Sequence, residues 1–167
     1  AIDSHGDHHL ELVPAESSDN CVWIVLGDGK GKFAKSPGSP SSTGRHPYVV
    51  AVADFNRDGN PDIATPNWFG KSVGVLLGDG KGAVRSAAAS TYQGVPEPTA
   101  IAAGELTGDG NPDLVVGNNG SRGLQLLVGD GKGGFRPGVE LHPAEPCFGP
   151  TLADLNGDGR LDVVCTS

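Results

Sequence analysis

The chain has 167 residues, of which 27 are Gly and 13 Pro, with 37% hydrophobic and 19% charged side chains and no Met. Its net charge of -8 leaves no electrostatic footprint for a phosphate backbone, which sets nucleic acid aside as a partner. So much Gly and Pro argues against a helical or doubly wound domain, while recurrent Val, Ile and Leu runs argue against disorder. Many short strands joined by tight turns reconcile the two.

No stretch approaches the length of a membrane-spanning helix, and no basic-then-apolar leader opens the chain. Without Met, it reads as a mature product, a processed piece or part of something longer. Cys21, Cys147 and Cys165 lack zinc-site spacing and leave one over if two pair, so no disulfide is assigned.

In chain order, residues 3–11 read DSHGDHHLE, with Asp3, His5, Asp7, His9 and Glu11 at alternate positions. The run CVWIVLGDGKG at 21–31 predicts a strand ending in a hairpin turn, because positive φ costs Gly little. A short strand at 32–34 and a Pro- and Ser-rich connection follow. YVVAVADF at 48–55 is the next apolar run, and it leads into DFNRDGNPD at 54–62. There, Asp54, Asn56, Asp58 and Asp62 place oxygens at every second position, with the Asn60 carbonyl between them and Gly59 at the sixth position. That pattern suits a hard cation such as Ca2+, which takes six to eight oxygen ligands and needs a sharp bend in the loop.

DIATPN and SVGVLLGDGKG predict two further strands, and a fourth falls at 83–86. The series then repeats as TAIAAGEL, ELTGDGNPD at 105–113, DLVVGN, LQLLVGDGKG and a strand at 134–136. GPTLADL, DLNGDGRLD at 154–162 and DVVCTS close the chain. The glycine turns recur in steps of 51 residues and the acidic loops in steps of 51 and 49. We therefore read one repeat domain over 1–167, with repeats at about 1–46, 47–97 and 98–146 and part of a fourth at 147–167. Four strands per period of about 50 residues is the pattern of an all-β propeller blade or a related β repeat. Ala51, Ala53, Ala102 and Ala103 suit its crowded inner wall.

The in-register DxNxDGxxD loop, the Pro-Asp that opens the second strand and the LLGDGKG turn resemble the FG-GAP or VCBS-type repeats. Such repeats build integrin α-subunit propellers and occur in secreted microbial proteins and fungal lectins. The resemblance implies calcium at Asp54, Asn56, Asp58, Asn60 and Asp62, and at Asp154, Asn156, Asp158, Arg160 and Asp162, with Asn60 and Arg160 giving carbonyls. In the middle loop Glu105 and Thr107 replace Asp and Asn beside Asp109, Asn111 and Asp113, so weaker binding is expected there. For residues 3–11 three readings stay open. They are a calcium loop without the sixth-position Gly, an inherited metal-free turn, and a transition-metal site at His5, His8 and His9.

An EF-hand is set aside because its twelfth position needs Glu, and Thr65, Val116 or Cys165 stands there. The chain has no HExxH, and carboxylates two residues apart on a loop are ligands, so no enzyme is expected. Trp68 and Phe69 lie where the next repeat has Asn119 and Gly120, placing them either on a sugar or protein ligand or between neighbouring blades. Trp23 is assigned to packing in the first blade.

The repeat pattern leaves the first blade without its innermost strand and gives the last only its inner two. Either this is part of a larger propeller, or neighbouring copies complete each other's blades as a ring or filament. The resemblance implies an extracellular or cell-surface binding or scaffolding module, including carbohydrate recognition, or a propeller appended to a larger secreted enzyme or receptor.

Overall fold

The computed structural model describes residue 3 and residues 9–119, 123–141 and 148–166. The described residues are all-β and contain no helix. Two complete four-stranded antiparallel sheets form the centre. One runs in order β6 (Ala51–Ala53), β7 (Asp62–Asn67), β8 (Ser72–Gly78) and β9 (Val84–Gln93). The other runs β10 (Pro98–Gly104), β11 (Asp113–Asn118), β12 (Gly123–Gly129) and β13 (Phe135–Leu141).

Before them lies a sheet of broken strands. β1 (Ala15–Glu16) pairs with β2 (Cys21–Val22), and β2 with β5 (Ser41–Ser42), while β3 (Val25–Gly27) pairs with β4 (Phe33–Lys35). The Leu12–Val25 bridge joins these pieces into three antiparallel lines, which match the second to fourth strands of the sheets that follow. After the centre come β14 (Phe148–Ala153) and β15 (Asp162–Thr166), the counterparts of the first two strands. The described residues do not close a ring of sheets.

Two strand bounds differ from expectation. The fourth strands are longer, because an outer edge strand is only half covered and its polar residues hide its extent from a hydrophobicity pattern. β6 is shorter than its apolar run, since Tyr48 and Val49 are exposed ahead of it.

Packing follows the period of two. In the second sheet, Ile63 and Leu76 point back to Val22 and Ile24 of the first, forming one core cluster. Their neighbours Ala64, Val73, Val75 and Leu77 point the other way, onto Leu114, Leu127 and Phe135 of the third sheet. Val115 and Leu124 of the third sheet then meet Leu152 and Val163 of the fourth. Phe55, 1% exposed, reaches across to Phe135 with its ring edge-on at 5.4 Å.

Candidate functional site

Each acidic loop is the connection between the first and second strands of its sheet: Ala53 pairs with Asp62, Gly104 with Asp113 and Ala153 with Asp162. Position 1 thus follows the first strand, and position 9 opens the second. In loop 54–61, Asp54 accepts the Asp58 amide on Oδ1 (3.1 Å) and the Gly59 amide on Oδ2 (2.8 Å), and Asn56 Oδ1 accepts the Asp58 amide at 3.0 Å. Loop 154–161 repeats this, with Asp154 accepting the Gly157, Asp158 and Gly159 amides and Asn156 Oδ1 the Asp158 amide. In loop 105–112, Glu105 accepts the Thr107 and Gly108 amides, and Asp109 the Asn111 amide.

These bonds hold the Asp58, Asp109 and Asp154 carboxyls below the usual carboxylate range. The leading causes are the Asn56 side chain for Asp58, the Asn111 amide for Asp109 and the Gly159 amide for Asp154. Among the described residues, no group of three or more His, Cys, Asp or Glu side chains converges in a way that would hold a metal ion. A cavity of about 420 Å³ separates loops 105–112 and 154–161, with Glu105, Thr107 and Arg160 in its wall.

In loops 54–61 and 105–112, position 9 locks the loop to the glycine turn. Asp62 is fully buried; its Oδ2 accepts the Phe55 and Asn56 amides, and its Oδ1 accepts the Gly78 amide at 2.8 Å. Asp113, equally buried, accepts the Leu106 and Gly129 amides in the same way. Burial pushes the Asp62 carboxyl up to about 6, against the opposing pull of its three amides. A Cβ on Gly78 would run into the Pro61 carbonyl, and one on Gly129 into the Pro112 carbonyl, so only glycine fits there. Position 7 lies over the next glycine of the turn, with Asn60 against Gly80 and Asn111 against Gly131.

The turns are nearly superposable. Asp28, Asp79 and Asp130 each accept two later amides on Oδ1, and their own amides donate to Lys32, Ala83 and Gly134. The second glycine of each turn has φ of 65–68° and the third 83–89°, the left-handed region.

At residues 9–11 the burial and the packing on the turn recur. Glu11 is buried like Asp62, and His9 packs its ring over Gly29 as Asn60 does over Gly80. Asp3 belongs to the described residues, whereas His5, Asp7, His8 and Cys147 lie outside them. Cys165 is disulfide-bonded, and Cys21 is a free thiol whose pKa burial raises. Trp23 is half-buried beneath the Lys35 ammonium, 3.7 Å from its ring centre.

Trp68 and Phe69 belong to an aromatic cluster that sequence reasoning only half found. They stack on each other at 4.9 Å, His46 lies 4.6 Å from Phe69, and Tyr48 meets Trp68 edge-on at 5.5 Å. Phe69 is 55% and Tyr48 50% exposed, so both side chains reach solvent, while His46 and Trp68 are half-buried. The backbone builds the cluster. His46 takes a positive φ of 60° and donates its amide to Asn20 Oδ1 (2.7 Å), while its carbonyl accepts the Trp68 amide. Ala15, Ser17, His46, Pro47 and Tyr48 line a cavity of about 190 Å³ beside it. A 51-residue shift aligns His46-Pro47-Tyr48 with Glu97-Pro98-Thr99, and that aromatic departure from the repeat was the available signal.

The FG-GAP-like repeat family matches residues 3–65 and 105–165, and the chain belongs to it. The chain is 30% identical over 162 residues to cartilage acidic protein 1 of Xenopus tropicalis, covering 89% of this chain and 25% of that one. It is 28% identical over 161 residues to the Homo sapiens protein of that name, covering 89% and 24%. The chain therefore spans about a quarter of the length of these curated relatives.

Proposed function

We propose that the chain is a non-catalytic extracellular recognition module, with acidic loops braced by calcium and an aromatic patch that receives a carbohydrate. The observation that carries this reading is the exposed cluster of His46, Tyr48, Trp68 and Phe69 beside a polar-edged cavity. Aromatic faces flanked by hydrogen-bonding groups suit a pyranose ring, which has an apolar face and a rim of hydroxyls. The extracellular placement draws on relatives named for cartilage, and among the described residues no helix is long and apolar enough to cross a membrane.

The calcium reading draws on donor chemistry. Asp54, Asn56, Asp58 and their counterparts at 154–158 offer carboxylate and amide oxygens, and an oxygen that accepts one amide keeps a second lone pair. When bound, the ion supplies positive charge that ties the two strand ends together. The residues themselves pre-wind the loop by holding amides of its second half.

A glycan array probed with the wild type, Trp68→Ala and Phe69→Ala tests the recognition site. Binding that both substitutions abolish, with the fold intact by circular dichroism, is the expected result. An array without binding, or with binding unchanged by either substitution, overturns it. The coverage of only a quarter of the relatives favours one second reading, a module appended to a larger secreted enzyme or receptor. The complete gene distinguishes the two.

A further inference from the structure

The chain has eight asparagines, and Asn119 alone is followed two positions on by a hydroxyl residue, in the run Asn119-Gly120-Ser121. Asn-x-Ser with a middle residue other than Pro is the acceptor pattern for an N-linked oligosaccharide. Three letters are a weak signal by themselves, so the place of the residue in the fold decides. Asn118 ends β11 and is 2% exposed, whereas Asn119 lies in the turn that follows and is exposed.

The backbone around Asn119 repeats a frame already seen at the aromatic cluster. There His46, at a φ of 60°, accepts the Trp68 amide on its carbonyl at 3.0 Å. Glu97, 51 residues on, has a positive φ of 44°, and its carbonyl accepts the Asn119 amide at 3.1 Å. Asn119 is therefore held where the preceding sheet carries Trp68. The bond engages main-chain atoms alone and leaves the side-chain amide out. Because β11 runs from the acidic loop at Asp113 to Asn118, this turn lies at the end of the sheet away from the acidic loops and glycine turns.

We propose that Asn119 is the acceptor of an N-linked oligosaccharide, an inference that rests on the extracellular placement proposed above. The donor is an oligosaccharide carried on a lipid pyrophosphate, delivered by a transferase of the secretory lumen. Asn119 Nδ2 bonds to the anomeric carbon of the first sugar as that carbon's bond to the pyrophosphate oxygen breaks. The lipid pyrophosphate leaves with the electron pair and the amide gives up one proton, so nothing is oxidised or reduced. Ser121 supplies the hydroxyl that the pattern requires, and Gly120 avoids the excluded Pro. The glycan stands one sheet along from the aromatic cluster, at the same end of the strands, and covers none of the packed faces between sheets.

Expression of the 167-residue chain behind a secretion leader in eukaryotic cells tests this, with Asn119→Gln and Ser121→Ala alongside. The leader routes the chain through the lumen whatever its native location, so a failure falls on the acceptor and not on the extracellular placement. The wild type is expected to carry a glycan-sized mass excess that peptide N-glycosidase removes, leaving a carboxyl at residue 119. Both variants are expected to lose that excess, each through a different side chain of the pattern. Medium and cell lysate are treated alike, so retention of a variant does not hide the result. A wild type without the excess overturns the inference, and so does an excess that survives either substitution. A glycosylated wild type that binds nothing on the glycan array supports the inference while overturning the recognition site.

Discussion

Asp62 does two jobs whose electrostatic demands conflict. It is a carboxylate with every oxygen engaged by backbone amides, yet its burial favours the neutral acid, at a pKa of about 6. Its folded pKa therefore lies above its unfolded value of about 3.9, and between those two the folded chain binds more protons than the unfolded one. Stability from this group is full below the unfolded pKa and is lost as pH rises through about 6. Urea titrations in chelator are expected to show a decline of about 1–2 kcal/mol from pH 4 to pH 7 that Asp62→Asn removes. Identical slopes for the two proteins contradict it. The cation proposed for the neighbouring oxygens would offset that loss, so the decline should shrink when calcium is added.

At the scale of the strand, the two central sheets differ at one corresponding pair. Asn67 is buried with Thr65 donating to its Oδ1 and its own amide reaching Ser72 Oγ. Asn118 holds the same place, but Val116 and Gly123 stand where the hydroxyls were, and among the described residues its buried amide nitrogen and oxygen have no hydrogen-bond partner. Removing a satisfied amide strands two hydroxyls, while removing an orphaned one relieves a desolvation cost. Asn67→Leu is therefore expected to destabilise the chain by about 2 kcal/mol more than Asn118→Leu in denaturant titrations. Equal losses would contradict this account.

The same scale explains what could be read in advance. The acidic loops and glycine turns were legible because their chemistry is local: Asp28 caps amides two and four residues ahead, and Gly29 supplies a positive φ. His46 and Tyr48 escaped because their partners lie some twenty residues on, joined through a connection whose geometry no short-range pattern states. Asp62 looked like a fifth ligand from its spacing alone, and its bond to Gly78, sixteen residues away, became apparent only in the fold.

For the whole molecule, the proposed calcium would act by mass action on the folded state, because the unfolded chain does not gather the loop oxygens. Added Ca2+ is expected to raise the melting temperature by a few degrees, and a chelator to reverse the rise. A melt indifferent to both would remove calcium from the proposed function while leaving the aromatic patch untouched. Replacing Asp54 and Asp154 with Asn should reduce the calcium-dependent increment, since these carboxylates open the two complete loops.

The glycine turn answers to three neighbours at once. Its first glycine abuts the carbonyl at position 8 of the acidic loop, and its second lies beneath the side chain at position 7. Its third leans on the preceding sheet, as Gly82 does on Leu26 and Gly133 on Leu77. Each glycine of the second and third turns is therefore held by a neighbour. That constraint accounts for how little the turn differs among the copies. GDGKG has been inherited letter for letter three times, while the stretches between copies have drifted until an aromatic cluster arose in one of them.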